Sequence, residues 1–329
     1  IQLYFLLFFS FINCHKSWSQ NIDSLKKALE NAKQDTTRLT ILFVLVESIS
    51  DDKVWPFYNE QAYKLSEKLC LNTNALITKK GKKGLADALN NIGYNYCNQG
   101  DIPKALDYWE RCLKLQQAIG DKQGIATTIN NIGAVYNNQG DKEKALEYWN
   151  KSLKIQEEIN DKMGVSNSLN NIGTIYENYH AVGELGLTKA LDYYNRSLKI
   201  REEIGFKRGI AISYNNIGLV HCKKNNIPLS LDYYKKSLKM RREIEDINGV
   251  ANSLNNIGVA YLKLKKYNLA FAYCDSSLLL SKELGFPETI SNTETALAMI
   301  DSARGNFLGA YEHYKQYIFY RDSTNNEQT

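Results

Sequence analysis

The tetrapeptide Asn-Asn-Ile-Gly stands five times in this chain, at Asn90–Gly93, Asn130–Gly133, Asn170–Gly173, Asn215–Gly218 and Asn255–Gly258. Successive copies lie 40, 40, 45 and 40 residues apart. Such a period marks an array of small units, each unable to bury its apolar side without a neighbour. The longer step falls in "NYHAVGELGLTKA", Asn178 to Ala190, where other copies carry a shorter turn of the "NNQGDKEKA" type. A motif copied at this regularity points to architecture or to a repeated binding contact, not to a single catalytic centre.

Each unit reads as two helices. In the second copy Ile129, Ile132, Gly133 and Tyr136 follow the i, i+3, i+4, i+7 spacing of one buried helical stripe. Gly140 then suits a helix C-cap and Asp141 the N-cap of the next helix. That second helix carries Ala145, Leu146, Trp149, Leu153 and Ile155, while Pro103 and Pro228 fall at the starts of equivalent helices, where proline is tolerated. A glycine inside a helix costs about 1 kcal/mol relative to alanine. Gly93 and its four equivalents are therefore expected to permit a close helix approach, with a small residue at 105, 145, 190, 230 and 270 at the contact. Trp109, Trp149, Tyr194, Tyr234 and Cys274 would fill the next gap.

The set Leu89, Ile92, Gly93, Tyr96, Ala105 and Trp109, with its later copies, resembles the tetratricopeptide repeat family. The unit is longer than that family's basic length of about 34 residues and lacks the proline near the end of the second helix. In length it is similar to the repeats of kinesin light chains and of bacterial peptide-sensing regulators. The resemblance implies an all-α fold, a right-handed superhelix (α-solenoid) of antiparallel helix pairs. Five units are expected over 85–289, a divergent helical segment over 20–84, a degenerate C-terminal repeat over 290–320 and the start of a linker over 321–329. "TALAMIDSARGNFLGAYEHY" keeps the repeat spacing, with Ala298, Ala310 and Tyr314 in the glycine, alanine and aromatic places.

The wheel places Asn90 about a quarter-turn from the core face, beside Asp87, Tyr94, Cys97 and Asn98. In tetratricopeptide superhelices this side of the first helix lines a concave groove. An asparagine side chain offers both donors and an acceptor, matching the peptide backbone. Asn90, Asn130, Asn170, Asn215 and Asn255 are therefore the expected contacts to an extended peptide, with Tyr94, Asn98, Asn138 and Asn178 alongside. Lys223 and Lys263 would favour an acidic ligand segment. The second asparagines, Asn91 to Asn256, turn toward the groove's edge and are assigned no ligand. Hydrogen bonding between neighbouring first helices is the other use open to the asparagines.

A net charge of +5 is a mild excess, unlike the strongly basic stripe of a nucleic-acid binder. The histidines His15, His180, His221 and His313 are dispersed, and no nucleophile–base pair, phosphate loop or ligand cluster stands out. No catalysis, cofactor or metal is expected of this chain. The tyrosine–tryptophan pairs Tyr108-Trp109 and Tyr148-Trp149 are expected to be packing residues.

Leu3 to Ile12 form an apolar run too short to span a bilayer, followed by small residues at Ser17 and Ser19. This reads as a secretory signal peptide over 1–19, and Asn13 before Cys14 argues against lipidation. The remaining cysteines, Cys70, Cys97, Cys112, Cys222 and Cys274, lack CxxC spacing and read as small apolar fillers. An exported, periplasmic or cell-envelope location is expected, or a cytoplasmic one if the apolar start is not a signal. The chain opens without methionine, and "AYEHYKQYIFYRDSTNNEQT" resembles the junction of Bacteroidetes-type signalling proteins, so a piece of a longer protein is expected. The expected function is a scaffold binding a peptide or partner protein. The alternative is the sensor region of a membrane-tethered signalling enzyme, a cyclase or histidine kinase.

Overall fold

The computed structural model describes residues 21–49, 51, 53–178 and 183–326, with side chains as far as 323. The signal-peptide segment expected over 1–19 lies outside the described residues, with Cys14 and His15, as does His180. Among the described residues there are fifteen helices and no strand. The chain divides into two compact units, one ending at Val135 and the other beginning at Tyr136.

The first unit contains α1 (21–31), α2 (Asp35–Ser48), α3 (Trp55–Cys70), α4 (Ala75–Asn98), α5 (Ile102–Ile119) and most of α6 (Lys122–Asn138). Leu39, Leu42 and Leu45 of α2 pack with Trp55, Ala62 and Leu69 of α3, so the divergent N-terminal segment is a helix pair with its own core. Helix α4 reaches back to Ala75, because the Asn74 side chain caps it by accepting from the backbone N–H groups of Leu76 and Ile77.

The second unit continues with α7 (Lys142–Glu158), α8 (Lys162–Asn178), α9 (Gly183–Glu203), α10 (Lys207–Lys223) and α11 (Ile227–Glu243). It ends with α12 (Ile247–Lys263), α13 (Tyr267–Leu284), α14 (Pro287–Ala303) and α15 (Phe307–Asn326). Within each unit the most extensive helix contacts join neighbours in sequence, as a solenoid requires. Helix α15 continues through 321–326, residues read from the sequence as the start of a linker.

Turn chemistry follows the repeat. Gly140 adopts φ +85°, and the Asp141 carboxylate accepts from the Lys144 backbone N–H; Gly100 and Asp101 do the same before α5. Where the glycine is missing, Asn160, Asn225, Glu245 and Lys265 take the left-handed conformation instead.

The mid-helix glycines face the large residue of the following helix. A Cβ on Gly93 would lie 2.7 Å from the Trp109 ring, and one on Gly173 2.7 Å from the Tyr194 ring. Trp109 and Tyr194 are almost wholly buried as a result. On Gly258, where Cys274 replaces the ring, a Cβ would meet both the Cys274 sulfur and the Ala270 carbonyl. The terminal pair supplies the converse case. Ala298 carries the methyl that glycine omits, and Tyr314, in the aromatic place, is left 54% exposed.

Two further ladders stiffen the repeats. Ser197, Ser237 and Ser277 hydroxyls, and the Cys112 thiol in the same register, donate to backbone carbonyls of the preceding first helix, at 166, 211, 251 and 86. On the half-exposed side, Tyr96 stacks on Tyr108, Tyr136 on Tyr148, Tyr176 on Tyr193 and Tyr261 on Tyr273, with centroids 5.3–5.5 Å apart. His221 takes the same place against Tyr233. Lys104 and Arg111 cover the two ends of the first stack, Lys144 and Lys151 those of the second, and Lys189 and Arg196 those of the third.

Gly173→Ala should therefore destabilise the protein by about 1–2 kcal/mol, overpacking against Tyr194 outweighing the helix-propensity gain of about 1 kcal/mol. The denaturant midpoint measures it, and a raised midpoint would refute the close-approach account.

Candidate functional site

The paired asparagines hold adjacent helices together. In the first unit the Asn91 amide donates to Asn59 Oδ1 at 3.0 Å, and the Asn131 amide donates to Asn90 Oδ1 at 3.1 Å. In the second unit Asn216 donates to Asn170 Oδ1 at 3.1 Å and Asn256 to Asn215 Oδ1 at 2.8 Å. The second asparagine of one copy is thus the donor, and the first asparagine of the copy before it is the acceptor. Asn59 on α3 extends the ladder beyond the motif, and its own amide donates to the Ala88 carbonyl.

This arrangement uses the oxygen of each acceptor. The amide donors of Asn90, Asn170 and Asn215 have no acceptor among the described residues, and all three side chains are only partly buried. Asn255 differs: it is 8% exposed, with its oxygen 3.8 Å from the Cys274 sulfur. Asn130 is half-buried; Tyr94, Asn98, Asn138 and Asn178 are exposed. Lys223 and Asn178 do come together, but on each other. The Lys223 ammonium donates to Glu177 Oε1 at 2.7 Å and Asn178 Oδ1 at 3.0 Å. Lys263 donates to the Cys222 carbonyl. The Lys223 charge is therefore already balanced by the buried Glu177, which also accepts from the Tyr194 hydroxyl.

A set of buried groups at one register of the second helices completes the asparagine face. Gln116 accepts from the Thr128 hydroxyl and Gln156 from the Ser168 hydroxyl. In the next copy Arg201 stands there, 3% exposed, donating to Asn170 Oδ1, Asn167 Oδ1, the Gly209 carbonyl and Ser213 Oγ. Among the described residues no carboxylate pairs with it, and burial lowers its pKa to about 10. Arg241 follows, donating to the Gly249 carbonyl 4.0 Å from the Asp246 carboxylate in an ion pair. The sequence carries this register as Gln116, Gln156, Arg201, Arg241 and Ser281, a pattern visible only on aligning the second helices.

The first unit also holds a pocket of about 770 Å3 between α2, α4 and the start of α6, and Asn90, Asn91 and Tyr94 line it. Asp87 of α4 lies in its wall. Burial, and then the Asp121 and Glu47 carboxylates, push its pKa up to about 6, against the opposing pull of Lys83. Burial likewise raises the Cys112 and Cys274 thiols to about 11 and about 12, which leaves them unreactive at neutral pH.

A tetratricopeptide-repeat family model matches residues 84–158, 124–181 and 179–243, and a second one of that description matches 250–284. Together they span more than half of the chain, and the protein belongs to the tetratricopeptide repeat family. No curated relative matches the sequence. Among solved structures, the apo form of RapI is similar at TM-score 0.64 and 18% identity, over 83% of this chain and 94% of that one. A Rap protein complexed with competence and sporulation factor is similar at 0.57 and 11%, over 95% and 99%. A signal-transduction ATPase (STAND) protein with a tetratricopeptide repeat sensor, from Pyrococcus horikoshii, is similar at 0.60 and 16%, over 89% of this chain and 46% of that one. At these identities the likeness is one of fold.

Two stability measurements test the electrostatics and the ladder. Asn216→Ala should cost about 1 kcal/mol through the lost bond to Asn170, read from the denaturant midpoint. Asp87 holds its proton in the folded state up to about pH 6 but loses it near pH 4 when unfolded. Its destabilising contribution thus develops as pH rises through that window. Asp87→Asn should raise the thermal midpoint above pH 6 and leave it unchanged below pH 4.

Proposed function

We propose that this chain is a protein-interaction scaffold that holds an extended peptide along the asparagine face of its first helices. The observation that carries the reading is the asymmetry of the ladder. Asn90, Asn170 and Asn215 each have the oxygen fixed by the next copy within their unit, which orients the remaining amide donor without consuming it. A row of oriented donors suits backbone carbonyls, as an extended strand presents them. Preorganised donors also lose little entropy on binding. The Rap protein solved in complex with competence and sporulation factor shows that an array of this fold accommodates a binding partner.

A sensory role is a second reading, favoured by the Pyrococcus horikoshii STAND protein, which has a tetratricopeptide repeat sensor. In that reading occupation of the asparagine face biases a two-state element beyond the array. Export to the cell envelope and a membrane tether belong to this proposal; among the described residues no helix is long and apolar enough to cross a membrane.

Replacing Asn215 by aspartate keeps the oxygen that accepts from Asn256 and removes the free donor. Peptides enriched from a random dodecapeptide display library should bind the Asn215→Asp variant about tenfold more weakly, a loss near 1.4 kcal/mol. The thermal midpoint should stay close to that of the parent. Failure to enrich any peptide, or equal binding by the variant, would reject the reading.

A further inference from the structure

The pocket of the first unit differs in charge from the asparagine face that continues it. Its wall carries three carboxylates, Glu47 from α2, Asp87 from α4 and Asp121 ahead of α6, against one ammonium, Lys83. Lys83 lies 3.9 Å from Asp121, whose other oxygen caps α6 by accepting from the Gly124 backbone N–H. Asp87 accepts no hydrogen bond from any described residue. The copy in which it stands is alone in this respect: the same register holds Thr127, Asn167, Ile212 and Asn252 in the later repeats. An acid here is a property of one place in the array and not of the repeat.

The lining is not only acidic. Val44 and Phe43 of α2 and Tyr94 of α4 supply apolar surface, and Val44 and Tyr94 are 39% and 51% exposed. The carboxylates do not converge on one point, since among the described residues no group of three acidic, histidine or cysteine side chains could hold a metal ion. A cavity of about 770 Å3 with apolar walls and dispersed negative charge fits a long organic cation. Its aliphatic stem would cover Val44 and Phe43, while its charged head neutralises Asp87.

We propose that this pocket is the subsite for one basic side chain, lysine or arginine, of the extended peptide bound along α4 and α6. The assignment rests on the peptide-binding reading above and adds to it a charge preference at one fixed position. Desolvation of the Asp87 carboxylate without a hydrogen-bonding partner costs free energy in the empty pocket, and a cation placed against it recovers that cost. Because only the ionised carboxylate attracts the cation, affinity falls as pH drops through about 6.

Random dodecapeptides displayed on phage and panned at pH 7.5 against the full chain and its Asp87→Asn variant provide the test. Enriched sequences are remade as fluorescein-labelled, N-acetylated peptides, with citrulline or norleucine replacing each basic residue in turn. Peptides selected on the parent should share lysine or arginine at one position. Its neutral replacement should weaken binding to the parent about tenfold and to Asp87→Asn less than about twofold. Lowering the pH from 7.5 to 5 should weaken the parent and leave the variant flat. Glu47→Gln, at an exposed position, should move the preference in the same direction by less. Peptides that bind without a fixed basic residue, or a neutral replacement equally costly in parent and variant, would overturn the pocket assignment while the scaffold reading stands. Binding that requires a free N-terminal ammonium and disappears on acetylation would also overturn it. Failure to enrich any peptide would overturn both.

Discussion

The contact on which the repeats depend is the one between a helix lacking a side chain and a ring that takes its place. Gly93 under Trp109, Gly173 under Tyr194 and Gly218 under Tyr234 let two helices approach while a large apolar group fills the seam. The glycine gives up helix propensity; the buried ring more than offsets it, because burying an aromatic side chain is worth several times as much. In α14 and α15 the bargain is absent. Ala298 keeps its methyl group, Tyr314 turns outward, and α15 carries Phe307, Leu308, Tyr311 and Phe319 exposed as well.

The asparagines answer two demands with one side chain. The oxygens of Asn90, Asn170 and Asn215 tie a first helix to the following one in the same unit, and their amide hydrogens have no acceptor among the described residues. The same oxygens take a second donor: the Thr128 hydroxyl at Asn90 and the Arg201 guanidinium at Asn170. A carboxylate-free guanidinium deep in the fold, as Arg201 is, is tolerable because four oxygens surround it. Arg201, 3% exposed, thus fixes part of the asparagine face from within the fold.

The fold was legible because periodic apolar spacing and turn chemistry survive in a single sequence. The caps at Gly140 and Asp141, the prolines Pro103 and Pro228 at helix starts, and the burial of Trp109 and Trp149 follow from residue type and position. The helix wheel also placed Asp87 and Tyr94 beside Asn90, and the pocket confirms that adjacency. Less legible were contacts that depend on which copy a partner comes from. The pairing of Asn131 with Asn90, 41 residues away, needs the offset between adjacent helices. Lys223 reads as a free groove cation, yet Glu177, 46 residues earlier, lies within 2.7 Å of it, and nothing in local spacing announces that. Arg201 was hidden for a related reason. A charged residue near a helix end reads as solvated, and its burial follows from the oxygens that two neighbouring helices bring to it.

The stacked aromatic pairs have a spectroscopic consequence. The chain has four tryptophans, at 18, 55, 109 and 149, all within its first half, whereas face-to-face tyrosine pairs continue as far as Tyr261 and Tyr273. Emission from the described indoles, Trp55, Trp109 and Trp149, reports on α3, α5 and α7. Coupled phenol transitions in the near-ultraviolet circular dichroism extend along the later ones. The array is thus labelled along its length by its own chromophores, and a solenoid that melts from one end would lose one signal before the other.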